Sequence, residues 1–371
     1  MKILKIITLS LFMLSVSSVS AVETNSKCNG SKVMRIGVAV GGAYEQFQKQ
    51  FVYIANALRN DGYLNLKQDL PDSFVFDDLE QWKVFAENSK GGCVEFSTDA
   101  LYVLGWEKSD RIQKKKEIIS ELKNKDKIDL LIAIGSTAGM DFSDDSLGIP
   151  VVVTGLIVGT GQSFTEQGEF STKPNLHVQK QPKRYKTELS LFYELFKPTV
   201  IGVLADIDPE QFNRHGNREL MESAKELGYK VYLCKGKISE ISEYSRCIKD
   251  LAINSDAVIL AGGNGVDIEN FYDQIKPLID AQIPTMSRIN NEMVKRGSLL
   301  GVSEESPESS GKYEARVIEQ IYNGKKISEI SQYYYAPLKL SLNLKVANLI
   351  EWKPPFEVIV ATDDVYREIK R

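Results

Sequence analysis

The stretch from Ile128 to Leu156 constrains the fold of the 371-residue chain more than any other, because it reads as strand, loop, short helix and strand. The apolar run Leu130 to Ile134 is too short for a buried helix and is closed by Gly135. Such a run is typical of a strand covered on both faces, as in a parallel sheet. Ile149 to Leu156 has the same character, so the stretch predicts two parallel strands joined by a helix.

Gly135, Ser136, Thr137 and Ala138 come where the first of these strands ends and the helix begins. A helix start leaves backbone amides without helical partners, and two hydroxyls lie beside them. Because the carboxyl ends of parallel strands border a crevice, we predict that these four residues hold a ligand. The alternative is that Ser136 and Thr137 only cap the helix.

The rest of the chain alternates strands and helices in two blocks. Val33 to Val40 predicts a strand and Tyr44 to Asp61 a helix, whose apolar residues recur every three or four positions. Leu64 to Asp129 has a less regular pattern, with a predicted strand near Leu64 to Lys67, an irregular section and a charged helix from Ser109 to Lys125. The second block predicts strands at Thr199 to Asp206, Lys230 to Cys234, Ala257 to Ala261 and Pro284 to Ser287, with helices before and between them.

This alternation predicts an α/β fold with helices on both faces of parallel sheets. The polar segment Gly159 to Arg184 indicates a crossing between two lobes, and a helix at Ser306 to Asn323 followed by a strand at Leu338 to Leu344 indicates that the chain recrosses. We expect two doubly wound lobes joined by a multi-strand hinge, formed by residues 33–160 plus 305–335 and 180–303 plus 338–371. A ligand would lie between them.

The first residues resemble an export signal. Lys2 and Lys5 precede an apolar run from Ile6 to Val16, and a small-x-small site follows, with predicted cleavage near Ala21. A membrane anchor is the alternative, but a spanning helix needs about 20 apolar residues and this run is shorter. We therefore expect an exported, periplasmic protein.

Cysteine spacing and charge agree with export. Cys28 and Cys93 lie in the first half and Cys234 and Cys247 in the second, so one disulfide in each half is the simplest pairing. Free thiols in a cytosolic protein are the alternative. Removing the signal with its two lysines changes the net charge from −4 to −6, which disfavours nucleic acid as a partner.

Three other residues at predicted strand ends are candidates for ligand contact. Tyr44 would stack on a ligand or only fix its helix. Arg288 would bind an anionic group with its planar fork, or form a surface salt bridge. Asp206 would receive an ammonium group, or cap the helix ahead of Pro209.

The segments "RIGVAV", "DLLIAIGSTAG", "IPVVVTGL", "TVIGVLAD", "DAVILAGGN", "IPTMSR" and "LNLKVANLI" occur in this order. From about Val33 to the C-terminus the chain resembles the periplasmic substrate-binding proteins of ABC transporters, in the family with tryptophan- and phenylalanine-binding members and the type I periplasmic-binding fold. The resemblance implies a small-molecule ligand and an ABC permease as partner. We expect a monomer without cofactor or metal.

The resemblance also implies particular ligand contacts. Gly135 to Ala138 correspond to the family's carboxylate-binding loop. Asn264 corresponds to the asparagine of an Asp-Asn-Thr segment, although as a residue after two glycines it would also suit a turn. The family's Gly-Val-Asp corresponds to Gly301, Val302 and Ser303. The acids of both family motifs are absent, and Asp206 is the candidate to replace them.

From these observations we expect an exported protein that binds an amino-acid-like molecule or an organic anion and delivers it to a permease. The alternative is a sensor subunit of the same fold that docks on a membrane receptor kinase or cyclase. An enzyme is disfavoured, because His177 and His215 belong to no known catalytic motif.

Overall fold

The computed structural model describes residues 28–371 apart from 29–31, 72–73, 77, 126, 145–146, 156–167, 183, 208–211, 213–215, 261, 263–264, 289–290 and 305–306. The predicted export signal lies outside these residues. In the described part of the chain, no helix is both long enough and apolar enough to cross a membrane.

The first half of the chain forms a sheet in which five strands can be described, all of them parallel to their neighbours. Their spatial order is β2-β1-β3-β4-β5. The strands are β1 (Met34–Val40), β2 (Val94–Val103), β3 (Leu130–Ile134), β4 (Val151–Thr154) and β5 (Leu176–Val178). Every residue of β3 and β4 is buried, as expected of strands covered on both faces.

The second half forms a sheet with seven described strands, ordered β12-β11-β10-β9-β8-β6-β7. The pairing is parallel except between β10 and β11. The strands are β6 (Val200–Asp206), β7 (Lys230–Gly236), β8 (Ala257–Leu260), β9 (Thr285–Ser287), β10 (Leu300–Glu304), β11 (Leu338–Asn343) and β12 (Asp364–Tyr366). The two sheets confirm the predicted α/β fold with two lobes.

Helices cover the sheets. The first lobe has α1 (Glu45–Asn60), α2 (Leu79–Asn88), α3 (Lys108–Lys125) and α4 (Ser136–Phe142). In the second half lie α5 (Arg184–Phe196), α6 (Asn217–Leu227), α7 (Ile241–Asn254), α8 (Phe271–Asp280), α9 (Asn291–Lys295), α10 (Pro307–Tyr322), α11 (Leu344–Leu349) and α12 (Phe356–Ala361).

Late in the chain, α10 returns to the first lobe and packs against α1. A Cβ on Gly311 would come within 2.6 Å of the backbone of Tyr53, so only glycine allows the two helices to approach this closely. After strand β10 the chain therefore returns to the helices that cover the first sheet. The exact lobe boundaries stay a prediction.

Three sequence predictions for secondary structure were wrong. The strand near Leu64 to Lys67 is reduced to one bridge between Leu64 and Val94. The section interpreted as irregular contains α2 and β2. The polar crossing contains β5, a fully buried strand. Both missed strands lack a clear pattern, because β2 is an edge strand interrupted by polar residues and β5 has only three residues.

Two crossings between the lobes are hydrogen-bonded to each other. Lys180 forms an isolated parallel bridge with Tyr333. The amide of Lys180 donates to the carbonyl of Gln332 over 2.8 Å, and the amide of Tyr334 donates to the carbonyl of Lys180 over 2.8 Å. Strands β10 and β11, which leave and re-enter the second lobe, pair antiparallel. The hydrogen bonds at Lys180 therefore join these two crossings to each other.

Both predicted disulfides are confirmed. Cys28 pairs with Cys93, and Cys234 pairs with Cys247. The first ties the segment before β1 to the start of β2. The second ties β7 to α7, the helix that follows it.

Candidate functional site

Glycines line the carboxyl ends of β1 and β3. Gly135 follows β3 with a φ of +89°, in the left-handed region that favours glycine. The ring of Phe47 lies directly over it, since a Cβ on Gly135 would come within 2.2 Å of that ring. Gly41 and Gly42 follow β1, the neighbouring strand. Bare backbone here allows aromatic rings to approach the edge of the sheet.

Trp106 occupies the space in front of Gly41 and Gly42. A Cβ on Gly42 would lie 2.7 Å from the indole Nε1, and a Cβ on Gly41 would lie 3.1 Å from the same ring. The loop that carries Trp106 follows β2 and turns at Gly105, whose φ is +91°. The indole is still 54% exposed. Its remaining surface is therefore available to a ligand.

Tyr44, Phe47 and Trp106 form what we call the aromatic shelf. The ring centroids of Tyr44 and Phe47 are 5.0 Å apart in an edge-to-face arrangement, and those of Phe47 and Trp106 are 6.4 Å apart. Tyr44 is 49% exposed. Burial of part of its ring, and then the charge of Glu45, raise the pKa of its hydroxyl. Phe47 thus connects two half-exposed rings at the edge of the first sheet.

The four residues of the predicted ligand loop differ in accessibility. Ser136 is partly exposed, whereas Thr137 is buried beside Gly41 and Ala138 is fully buried in the core. The helix that they begin, α4, has only seven residues. The structure therefore leaves the hydroxyl of Ser136 as the accessible side-chain group, and ligand contact by this loop stays a prediction.

In the second lobe, Asp206 lies at the carboxyl end of β6 and is partly buried. Ile207, which the sequence did not single out, follows it and is 57% exposed. Ser303 is buried in β10, opposite Lys339 of β11. Asn264 lies outside the described residues. Asp206 and Ile207 are thus the candidates that this lobe presents at the strand ends.

Arg288 follows β9 and belongs to a buried ion cluster. Its Nε lies 3.7 Å from Oε2 of Glu188, and their side chains are 6% and 0% exposed. Arg184 donates from Nε to Oε1 of the same carboxylate over 2.9 Å. The guanidinium of Arg288 also lies over the ring of Tyr185, 4.8 Å from its centroid. The interpretation of a surface salt bridge is therefore wrong, since the pair is buried.

This cluster joins strand β9 to the first turn of α5. Burial raises the pKa of the Glu188 carboxyl, while the charges of Arg184 and Arg288 oppose that rise. A carboxylate held by two guanidiniums is a structural element whose disruption leaves a buried charge unpaired. Anion binding by Arg288 stays a prediction, and a ligand would share the guanidinium with Glu188.

A buried polar network connects the first lobe to the first crossing. Gln50 donates from Nε2 to the hydroxyls of Thr154 and Ser310, both over 3.0 Å. The hydroxyl of Thr154 donates to Oε1 of Gln179 over 3.1 Å, and Nε2 of Gln179 donates to Ser310 over 2.7 Å. Because Gln179 precedes the crossing residue Lys180, the network anchors the hinge to α1 and α10.

Glu314 lies in the same interior, one turn after Ser310 on α10, and is fully buried. Burial raises the pKa of its carboxyl well above the usual range, and the hydroxyl of Thr154 only partly offsets this. Burial thus disfavours the charged form of this carboxyl. Among the described residues neither carboxyl oxygen of Glu314 has a hydrogen-bond partner that meets the usual geometry.

His177, in the middle of β5, contacts the crossing that leads from α10 to β11. Its Nε2 lies 3.2 Å from the carbonyl oxygen of Ser331 and 3.3 Å from the hydroxyl of Tyr313. That hydroxyl donates to the same carbonyl over 2.6 Å. Burial lowers the pKa of His177 to about 4. The imidazole is therefore neutral at physiological pH and serves the hinge.

Sequence reasoning missed Trp106, Ile207, Glu188 and Glu314. The sequence feature that could have identified Trp106 is a tryptophan that follows Gly105 and precedes charged residues. A large aromatic side chain at such a position is not expected to pack in the core. Among the described residues no group of three or more histidine, cysteine or acidic side chains could hold a metal ion.

Solved structures with similar folds are numerous. A conserved domain protein from Vibrio cholerae shares 17% sequence identity at a TM-score of 0.65, over 90% of this chain and 100% of that one. The ABC domain from Streptococcus pneumonia in complex with L-Trp shares 15% at 0.61, over 89% and 99%. The ligand-free, open structure of a substrate binding protein with adhesive properties from Clostridium difficile shares 16% at 0.58, over 91% and 100%.

These identities are low, so the structural likeness shows the fold, which is that of type I periplasmic binding proteins. No curated protein sequence matches the chain. The family model described as ABC transporter substrate binding protein matches residues 104–365, well over half of the 371 residues. The chain therefore belongs to the family of ABC transporter substrate binding proteins.

Proposed function

We propose that the protein captures a small organic ligand against the aromatic shelf, in the cleft between its lobes, and delivers it to the permease of an ABC transporter. The observation that carries this proposal is the exposure of Trp106 and Tyr44, at 54% and 49%, beside strand ends of the first sheet. Large exposed aromatic surfaces beside a crevice are typical of ligand sites.

The shelf favours a ligand with a flat apolar part. The backbone of Gly41 and Gly42 supports one side of the Trp106 ring, and 54% of the residue is exposed. Stacking of a ring on such a face contributes about 0.5–1.5 kcal/mol beyond the burial of apolar area. From the other lobe, the exposed Ile207 would cover the opposite face of the ligand.

The charged part of the ligand decides between the two predicted ligand classes. Asp206 lies next to Ile207 at the end of β6 and would receive an ammonium group. Arg288 would bind an anionic group, which would share the guanidinium with Glu188, and Asp206 also has a contact within the protein. The aromatic shelf and the L-Trp complex of the Streptococcus neighbour together favour an aromatic, amino-acid-like molecule, which is the proposed ligand.

Binding would shift the protein from open to closed forms. The paired crossings of the hinge allow the lobes to rotate without breaking either sheet. A ligand that contacts the shelf and Ile207 together binds the closed form better than the open one, which is the condition for such a shift. The closed form would then dock on the permease.

A thermal-shift screen of residues 22–371 tests the ligand class. Aromatic amino acids, aromatic organic acids, and non-aromatic amino acids and sugars would be compared. A ligand at a hundred times its dissociation constant adds about 2.7 kcal/mol of stability. We expect hits among aromatic amino acids, confirmed by calorimetry. Recovery of the bound compound unchanged would confirm binding without turnover.

Trp106→Ala should weaken the best hit at least tenfold, because about 1.4 kcal/mol corresponds to a factor of ten. Phe356→Ala is the matched control, since Phe356 is an exposed aromatic residue of α12 in the second lobe. Equal affinity of Trp106→Ala and wild type would exclude the shelf as the binding site.

Uptake measurements separate transport from sensing. Cells that lack the gene should lose uptake of the labelled hit, and wild-type protein, but not Trp106→Ala, should restore it. Unchanged uptake together with an intact ligand site would favour the sensor function. N-terminal sequencing of the exported protein would test cleavage near Ala21, and light scattering would test the monomer.

A further inference from the structure

The backbone of Trp106 is held by a buried arginine. Arg111 donates from Nη1 to the carbonyl oxygen of Trp106 over 3.0 Å. The same guanidinium donates from Nε to Oδ2 of Asp141 over 3.0 Å. Arg111 belongs to α3 and Asp141 to α4, so a single side chain connects the loop of Trp106 to two helices.

The Arg111–Asp141 pair is largely buried, which strengthens its hydrogen bonds. The side chains of Arg111 and Asp141 are 11% and 15% exposed, so water competes little for either hydrogen bond. A guanidinium donates from nitrogens in a fixed plane, and therefore the position of Asp141 determines the position of the Trp106 carbonyl. Exposed ion pairs on the surface have no comparable effect.

Two further contacts hold the backbone just before this loop. Leu104 is fully buried, and its amide donates to the carbonyl of Val40 over 2.9 Å. Lys114 donates to the carbonyl of Val103 over 2.9 Å. Both contacts precede Gly105, whose φ is +91° and whose Cα faces open space. After Gly105, Arg111 holds the chain twice, because its side chain donates to the carbonyl of Trp106 and its amide donates to the carbonyl of Glu107 over 3.1 Å.

We infer that the Arg111–Asp141 pair positions the Trp106 indole against Gly41 and Gly42, and so determines the orientation of the ligand-binding shelf. Arg111 is in this sense a positioning residue that does not touch the ligand. The inference rests on the proposed function, since the orientation of Trp106 matters for binding only if the shelf is the site. The competing interpretation is that the pair only joins α3 to α4.

Fluorine NMR of protein labelled with 5-fluorotryptophan distinguishes these interpretations without any ligand. The chain has three tryptophans, Trp82, Trp106 and Trp352. Loss of one signal in Trp106→Phe assigns the signal of Trp106. In Arg111→Ala that signal should move toward the position of solvent-exposed tryptophan, while the other two stay in place.

Arg59→Ala is the matched control. Arg59 also binds a backbone carbonyl and a carboxylate, at Leu66 and Asp69, but at the far end of α1. Its loss should leave the Trp106 signal unchanged. If Arg111→Ala folds and its Trp106 signal is also unchanged, the positioning role is overturned. If Arg111→Ala does not fold, Arg111→Lys replaces it, since lysine keeps the charge but cannot reproduce the fork.

Titration with L-tryptophan then connects position to binding. Arg111→Ala should bind it up to about tenfold more weakly than wild type, because the ligand would then have to order the Trp106 side chain on binding. Arg59→Ala should bind like wild type. Failure of wild type to bind any aromatic compound would count against the proposed function, whereas the fluorine signal would still decide the positioning role. A moved signal with unchanged affinity would show that Arg111 positions Trp106 but that this position does not affect ligand binding.

Discussion

Trp106 lies against the backbone of Gly42, with the indole Nε1 only 2.7 Å from the point that a Cβ on Gly42 would occupy. The Gly41-Gly42 pair lacks the spacing of a phosphate-binding loop. Its contact with the indole indicates a structural role instead. It provides the space in which an aromatic ring can lie close to the end of β1.

Gly42→Ala should therefore displace Trp106. The added methyl group overlaps the indole, and overpacking costs about 1–3 kcal/mol, with the low end expected here because the ring is half exposed and can turn outward. The fluorine signal of Trp106 should move and affinity for the ligand should fall. Gly228→Ala is the control, because its φ of +83° makes it strained but its Cβ meets open space. Equal affinity of both variants would contradict a role for Gly42.

Glu314→Gln should stabilise the protein at alkaline pH. The folded pKa of the carboxyl is raised by burial, so below about pH 4.5 it is neutral in both the folded and the unfolded state. Above that pH only the unfolded chain releases the proton, and the free energy of unfolding falls with rising pH until the folded pKa is reached. Glutamine has no such proton. Urea unfolding of both proteins between pH 4.5 and pH 8 should show curves that diverge as the pH rises.

Glu308→Gln is the control for this prediction, because Glu308 lies on the same helix with an exposed side chain. Its unfolding curve should follow that of wild type at every pH. Parallel curves for wild type and Glu314→Gln would show that the carboxyl of Glu314 reaches a charge partner or water.

His177 should make the protein less stable in acid. Above its ordinary pKa of 6.5 the imidazole is neutral in both states, and as the pH falls from 6.5 toward 4 only the unfolded chain takes up the proton. The loss amounts to about 3 kcal/mol by pH 4. His177→Gln should flatten this part of the stability curve. Tyr313→Phe, which removes the neighbouring hydroxyl, should lower stability at all pH values and keep the slope.

The sequence predicts best those elements that are covered on both faces. β3 and β4 are continuous apolar runs because neither face meets water, and α1 has its buried stripe at Phe51, Ile54 and Leu58. α2 and β2 were not predicted, because the side chains that they place in the core are aromatic residues without regular spacing in the sequence. Trp82, Phe85 and Phe96 pack around Phe51 with centroids 5.7, 5.4 and 5.3 Å from it, a cluster that no periodic pattern shows.

The candidate site is predictable only where it coincides with a strand end. Gly135 and Tyr44 follow strands with clear patterns. Trp106 follows β2, and a residue at the end of an undetected strand has no predictable neighbours. Glu188 and Arg288 are far apart in sequence, so their pairing depends on the packing of α5 against β9. Burial of that pair is a tertiary property that composition does not show.

Arg288→Ala should lower the stability of the ligand-free protein. It removes one of two guanidiniums from a fully buried carboxylate, and breaking a buried pair costs about 3 kcal/mol. Arg246→Ala is the matched control, because Arg246 pairs with Glu243 over 3.0 Å at an exposed position, where water screens the pair and its contribution to stability is small. Unchanged stability with reduced ligand affinity would instead assign Arg288 to the ligand.

The two disulfides should contribute unequally to stability. A cross-link restricts the unfolded chain more when it closes a longer loop, and Cys28–Cys93 spans 65 residues whereas Cys234–Cys247 spans 13. In the loop-entropy model the contributions are about 4 and about 3 kcal/mol. Replacing each pair by serine and measuring urea unfolding should therefore show the larger loss for Cys28/Cys93. The reverse order would mean that the segment before β1 is already restricted in the unfolded chain, or that the tie between β7 and α7 supports packing beyond its own loop.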